Sequence, residues 1–261
     1  MPRRDLNRAV VVITGAAGGL GSAMVTAFAR RGATPVPLDI DAEGLSRTGH
    51  HGYVCDLTDP TAVTAVIAEI IDVFGGIDVL VNNAGLTHRS AFADTDPAVL
   101  RRVMDVNYFG AVHATKAALP SIVERRGTIV GISSVAGFAP LLGRTGYAAS
   151  KHALQGFLES LRAEVSPTGV DVVVVAPSFI DTPFRFRTLD ADGSITTHPQ
   201  SRVGRMMTAK HVAEVVVRAV ERRRAFVTIG LVGTASWIFN RVSPRLYERI
   251  MTRSLASELD R

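Results

Sequence analysis

Three short runs, residues 77–81, 128–132 and 170–175, are apolar at nearly every position rather than at alternate ones. A strand with one wet face alternates. A strand that is apolar throughout has both faces covered, as in a parallel sheet between two layers of helices. Shorter runs at 9–14, 34–38, 52–55 and 225–229 extend the pattern. Helical patterns at 19–31, 61–74, 97–119, 146–165 and 209–222 separate them, and in 61–74 Val63, Val66, Ile67 and Ile70 share one face. Alternating β and α elements predict an α/β fold, a single-domain, doubly wound parallel sheet with helices on both faces.

The 261 residues suit one such domain. Residues 1–230 hold the sheet. Within them, 183–208 is polar and long for a connection between packed elements, which suggests a substrate lid. Residues 231–261 read as a C-terminal amphipathic helical extension of the same domain, with Trp237, Ile238, Leu246, Ile250 and Leu255 among arginines. Gly230 and Gly233 are expected to break the chain. Pro244 after Ser243 as N-cap predicts two helices there rather than one.

An apolar fraction of 47% and a charged fraction of 20% describe a chain with a buried core. The single cysteine, Cys55, excludes a disulfide framework and fits a reducing, cytoplasmic setting. No run of about 18 apolar residues predicts a transmembrane span, and the basic first eight residues precede only a strand's worth of apolar ones, so no signal peptide is expected. The seven histidines show no metal-ligand spacing, and His50-His51 reads as surface. From Ser201 onward twelve Arg or Lys face five Asp or Glu. A solvated helix surface explains this first, a membrane surface or an anionic substrate tail second. Nucleic acid is last, because no recognition motif accompanies the charge.

Thr14-Gly-Ala-Ala-Gly-Gly-Leu-Gly21 joins the first strand to the first helix. Glycines there permit a tight turn and let backbone approach a pyrophosphate at the helix N-terminus, which makes the sheet Rossmann-type. A glycine-rich turn with packing value only is the competing reading, and the strand and helix on either side argue against it. Asp39 ends the second strand, 18 residues beyond Gly21. Its carboxylate can accept hydrogen bonds from ribose hydroxyls and would repel a 2′-phosphate, so NAD is favoured over NADP. A helix N-cap is the other role open to it.

Tyr147 and Lys151 stand four residues apart, one turn on a helix face, with Ser134 thirteen positions upstream of the tyrosine. A free phenol, with a pKa of roughly 10, exchanges its proton poorly at neutral pH. A nearby lysine charge favours the phenolate. A serine hydroxyl can hydrogen-bond a carbonyl oxygen that is gaining charge. Alone the Tyr-x-x-x-Lys spacing is common on solvated helix faces; beside a dinucleotide site it is not.

With both motifs in one chain, residues 9–230 resemble the short-chain dehydrogenase/reductase family of the conventional soluble type. Thr14-Gly15-x-x-x-Gly19-x-Gly21 is similar to its cofactor loop, Asp56-Leu57 to the pair at adenine, and Asn82-Asn-Ala-Gly85 to the motif ending its fourth strand. The resemblance implies a catalytic set of Asn107, Ser134, Tyr147 and Lys151. In it Ser134 holds the substrate oxygen, Tyr147 is the acid/base, and Lys151 lowers the tyrosine pKa and binds the nicotinamide ribose. Asn107 holds helix geometry and a water. Cofactor contacts are implied at Thr14, Gly15, Gly19, Leu20, Gly21, Asp39, Asp56, Leu57, Asn83, Ala84, Gly85, Tyr147, Lys151, Pro177, Ile180 and Thr182. One position departs: Ser178 stands where the family usually has glycine, which puts the local backbone in question.

The expected function is NAD(H)-dependent interconversion of a secondary alcohol and a ketone, or an aldehyde. The alternatives are a polyol or sugar dehydrogenase and a non-catalytic dinucleotide sensor. Val135, Phe138, Leu141, Leu142, Phe179, Phe184 and Phe186 suggest a pocket for a steroid-, retinoid- or lipid-like substrate, or else ordinary lid packing. A homo-oligomer, dimer or tetramer, through the 146–165 helix and the one before it is expected from the resemblance and from Leu154, Phe157 and Leu158, some of which would otherwise lie exposed. The C-terminal helices are expected to pack on the domain or a neighbouring subunit, or to touch a membrane surface peripherally.

Overall fold

The computed structural model describes residues 3–182, 187–197 and 204–258. Phe184 and Phe186 lie outside the described residues. Seven strands form one sheet: β1 (Val10–Thr14), β2 (Thr34–Asp39), β3 (Tyr53–Val54), β4 (Val79–Asn82), β5 (Thr128–Ile132), β6 (Asp171–Pro177) and β9 (Phe226–Ile229). Their order is β3-β2-β1-β4-β5-β6-β9, and every pairing is parallel. A two-stranded ribbon of β7 (Ile180–Asp181) and β8 (Met207–Thr208) stands apart from it.

Each strand feeds both core layers, as its unbroken apolar run requires. Val11, Ile13, Val79, Val81, Val173 and Val175 face α1 (Gly19–Ala29) and α7 (Ala209–Glu221). Val10, Val12, Leu80, Ile129, Val172 and Val174 face α3 (Pro60–Phe74), α5 (Gly110–Glu124) and α6 (Thr145–Val165). Local chemistry sets the helix ends. Asp59 caps α3 by accepting from the Thr61 and Ala62 amides, Pro60 occupies its first turn, and Gly75 ends it in the left-handed region. A short α2 (Ala42–Ser46) is capped by Asp41, not by Asp39.

Four expectations change. The stretch read as one helix over 97–119 is α4 (Pro97–Met104), a π turn (Asp105–Phe109) and α5, which continues through Pro120. Leu154 and Leu158 are buried in the core against the sheet, and Phe157 packs on the same cluster. Leu154 and Leu158 therefore supply no exposed oligomer face, and only Phe157 of the three stays partly exposed. Of the 183–208 lid, Met207 and Thr208 belong to the ribbon, and Thr208 caps α7 through the His211 amide. Finally, Gly233 does not break the chain; it is buried inside α8 (Leu231–Val242). The second helix, α9 (Pro244–Ser254), begins at Pro244, but Ser243 precedes it without a side-chain capping bond.

A candidate dinucleotide and carbonyl site

Strand order reverses at β1 and β4, and their C-terminal ends open the crevice where α/β sheets bind ligands. The loop from Gly15 to Gly19 leads into α1. Gly15 has φ 65°, and a Cβ there would lie 2.7 Å from Ala84 Cα. A Cβ on Gly21 would lie 2.1 Å from the Gly15 carbonyl oxygen. Both positions admit only glycine, because the loop folds against β4 and against its own helix. The first turn of α1 has no side-chain cap, which leaves its amides facing the crevice for an anion. Asp39 Oδ2 accepts from the Ala17 amide at 2.9 Å and Oδ1 from the Asp41 amide at 3.0 Å. Each oxygen keeps a lone pair for a further donor. These residues fit a dinucleotide.

One cavity of about 1090 Å³ runs from this loop to the α6 N-terminus, at the top of the size range usual for small-molecule sites. Gly15, Gly19, Leu20, Gly21, Asp39, Asp56, Leu57, Asn83, Ala84, Gly85, Ser134, Tyr147, Lys151, Pro177, Ile180 and Thr182 all line it. Two expected site residues sit behind its wall instead. Thr14 is buried, its Oγ1 donating to the Val81 carbonyl and accepting from the Asn83 and Ala84 amides. It ties the cofactor loop to β4 and does not face the crevice. Asn107, carried by the π turn, clamps Leu86 by accepting from its amide (2.6 Å) and donating to its carbonyl (2.9 Å). Its amide also donates to Ser150 Oγ at 2.8 Å, and Ser150 donates to the Tyr147 carbonyl. Asn107 thus fixes α6 to the end of β4.

Lys151 is buried and its ammonium donates to the Ile132 carbonyl at 2.9 Å, 5.9 Å from the Tyr147 ring centre. Burial brings its pKa down to about 8. Burial also pushes the Tyr147 phenol up, while the Ser134 hydroxyl and the Arg144 charge pull it back down. Ser134 and Arg144 thus pull the phenol pKa down, while the lysine ammonium, over the Tyr147 ring, is held by the Ile132 carbonyl. Ser134, not its neighbour Ser133, is the serine beside the phenol; Ser133 is buried against Gly137.

Ser178 brings no backbone strain, since the non-glycine residues with positive φ are Arg8, Arg126 and Arg223 among the described residues. Of the expected apolar wall, Val135, Leu141 and Phe179 line the cavity. Phe138 packs its ring against Phe226 instead, 6.2 Å between centres, and Leu142 is not in the lining. The missing wall comes from the extension: Val232, Phe239, Tyr247, Ile250, Met251 and Leu255 of α8, α9 and the residue after them. Asn240 donates to the Phe138 carbonyl at 2.7 Å and fastens α8 to the loop after β5.

A family profile described as short chain dehydrogenase matches residues 9–192. The chain belongs to the short-chain dehydrogenase/reductase family. Dehydrogenase/reductase SDR family member 7B of Xenopus laevis is 40% identical over 264 residues, covering 95% of this chain and 82% of the relative. A short-chain dehydrogenase crystal structure from Streptomyces avermitilis superposes with a TM-score of 0.82 at 26% identity, over 96% of this chain and 98% of that one. Another, from Burkholderia cenocepacia J2315 in complex with NADP, gives a TM-score of 0.82 at 25% identity, over 95% and 99%. This short-chain dehydrogenase/reductase is an oxidoreductase with a Rossmann-type fold for a nicotinamide dinucleotide, NAD(P).

Several residues around the site of this short-chain dehydrogenase/reductase carry no signal in the sequence. His88 is fully buried; its Nε2 accepts from the Gly146 amide at 2.9 Å, so its proton sits on Nδ1, 3.2 Å from Ser90 Oγ. Arg89, Arg144 and Glu258 are buried charges whose positions follow no motif, and Arg144 acts on the Tyr147 phenol. Among the described residues no group of His, Cys, Asp and Glu could hold a metal ion. No described helix is long and apolar enough to cross a membrane.

Proposed function

We propose that the chain is an NAD(H)-dependent enzyme interconverting a secondary alcohol and a ketone, or an aldehyde, on a hydrophobic steroid-, retinoid- or lipid-like substrate. The observation that carries this reading is the meeting of Ser134, Tyr147 and Lys151 on one cavity wall, between the dinucleotide crevice and the apolar roof of α8 and α9. The bound nicotinamide supplies hydride exchange with the substrate carbon. Ser134 donates a hydrogen bond to the substrate oxygen, and Tyr147 gives or takes its proton. Lys151 binds the ribose, and Asn107 keeps α6 in place. Aliphatic and aromatic walls exclude water, which strengthens each of these polar contacts.

NAD is favoured because the Asp39 carboxylate, fixed by two backbone amides, would accept from ribose hydroxyls and repel a 2′-phosphate. Arg47 and Arg187 also line the cavity and would suit NADP, but they pair with Glu43 at 2.6 Å and with Asp41 at 3.3 Å. A screen across hydrophobic and polar secondary alcohols with both cofactors tests the proposal. The expected result is turnover of an apolar alcohol with NAD, at a kcat/KM at least tenfold that with NADP. A tenfold preference for NADP, about 1.4 kcal/mol in the other direction, retires the Asp39 assignment. Preference for polyols moves the substrate reading to the sugar-dehydrogenase alternative. Cofactor binding without any turnover leaves the sensor reading.

Two placements extend the proposal. The protein is cytoplasmic, consistent with a lone buried thiol, and it meets membrane surfaces peripherally through its extension. Phe239 and Ile250 line the cavity yet remain half exposed, beside the exposed Leu231, Val242 and Leu246. Arg241, Arg245, Arg249 and Arg253 flank them, as suits anionic head groups. A homo-oligomer now rests mainly on the family resemblance, with only Phe157 of the three α6 residues partly exposed. Sedimentation alone and with anionic vesicles at low salt tests both. A monomer at micromolar concentration rejects the oligomer, and failure to pellet with vesicles rejects membrane contact.

A further inference from the structure

The end of the described chain returns to the active site. After α9, Leu255 is buried and the turn Ala256–Glu258 brings a carboxylate inward whose side chain is 1% exposed. Glu258 Oε2 lies 3.7 Å from Arg89 Nε and 3.6 Å from Arg144 Nη2. Both guanidinium groups are buried as well, at 1% and 8% exposure. The three charges come from three separate segments. Arg89 follows β4, Arg144 immediately precedes α6, and Glu258 follows the two helices that roof the cavity. Ion pairs at a wet surface hold little in place, whereas removing one partner from a buried set strands the others.

The geometry matters because of what each arginine touches. The segment of Arg89 is bonded on both sides, with the Arg89 amide donating to Leu189 and the Ser90 amide to Gly143. Arg144 stands three residues before Tyr147, lines the cavity, and its charge acts on the phenol. Tyr247, Ile250, Met251 and Leu255, on the chain that leads to Glu258, form the apolar roof.

We propose that Glu258 is a positioning residue for the substrate site, its carboxylate clasping Arg89 and Arg144 so that α8 and α9 stay closed over the cavity. The proposal rests on the dehydrogenase reading for what the cavity holds, but the clasp itself does not. Opening it loosens the apolar wall and leaves the cofactor loop at the far end intact. Substrate affinity is the property that depends on it.

Hydrogen exchange and kinetics on Glu258→Gln, which keeps the shape and removes the charge, test the clasp. The expected result is at least tenfold faster exchange across residues 244–258, with β1 and β4 unchanged. For the best alcohol of the screen, KM rises about tenfold while kcat and the cofactor KM stay within about threefold, and Glu258→Asp recovers part of the loss. A general structural defect would lower kcat and cofactor binding together. Exchange and alcohol KM like those of the parent chain overturn the proposal. Should Glu258→Gln not fold, the parent chain still decides. Its Leu255 and Glu258 amides, bonded to Met251 and Leu255 at 3.0 and 2.9 Å, must exchange well below free-peptide rates, and free-peptide exchange overturns the clasp. Absence of any NAD-linked substrate would sink the catalytic reading and leave the exchange result standing.

Discussion

Tyr147→Phe is expected to lower NAD(H)-linked turnover by about 10²–10⁴-fold, the usual contribution of a positioned proton donor. Fold and cofactor affinity should survive. The ring keeps its packing against Val99, Val103, Leu189 and Leu86, and the Ser134 hydroxyl still accepts from the Ala136 amide at 3.2 Å. Fluorescence titration with NADH and a thermal melt would confirm that the variant is intact. Stopped-flow or steady-state rates with the best alcohol then give the loss. Near-normal turnover would remove Tyr147 from the mechanism and with it the reading of Ser134 and Lys151 as its partners. The pH profile carries a second expectation. Burial raises the phenol and holds it protonated near neutrality, so alcohol oxidation, which needs a proton acceptor, rises with pH.

The parts of this molecule that were legible in the sequence are those whose signals are local. An unbroken apolar run of five residues states its own burial, Gly21 is demanded by contacts within a single strand–loop–helix unit, and Gly15 by the left-handed turn at φ 65° in that unit. Asp39 and the Tyr147–Lys151 spacing belong to the same class. Other features needed the third dimension. A π turn at Asp105–Phe109 adds one residue to a turn and leaves no period that five residues can show. Periodicity in 146–165 identifies an apolar face but not what covers it, so Leu154 and Leu158 could be assigned to a partner or to the sheet; they face the sheet. The helical pattern read to residue 119 runs on through Pro120 to Glu124, and Ser121 in that last stretch accepts from the Ile77 amide. The pairing of Arg144 with Glu258 joins residues 114 positions apart by charge alone, which no spacing rule encodes. Thr14 shows the converse: a motif residue correctly placed in sequence acts one layer beneath the ligand surface, through Asn83 and Ala84.

Acid is expected to destabilise this protein through His88. Its pKa falls from 6.5 to about 4, first because it is buried and second because Arg144 is nearby. In the unfolded chain the imidazole takes up a proton below about pH 6.5, while the folded chain refuses it until about pH 4. Between those values the unfolded state binds more protons, so stability falls as pH falls. The contribution is fully present above pH 6.5 and lost on the way to pH 4. From the size of the shift it amounts to about 3 kcal/mol at the limit, of which about 2 kcal/mol is gone by pH 5. Urea unfolding at pH 7.5 and pH 5.0, for the parent chain and His88→Gln, isolates the effect. Every other titrating group is shared, so the parent should lose about 2 kcal/mol more than the variant across that interval. Equal losses would mean that His88 titrates normally in the folded state. The structural consequence of protonation is local and specific: Nε2 would cease to accept from the Gly146 amide, at the start of the helix that carries Tyr147. Loss of activity on acidification should therefore accompany or precede global unfolding.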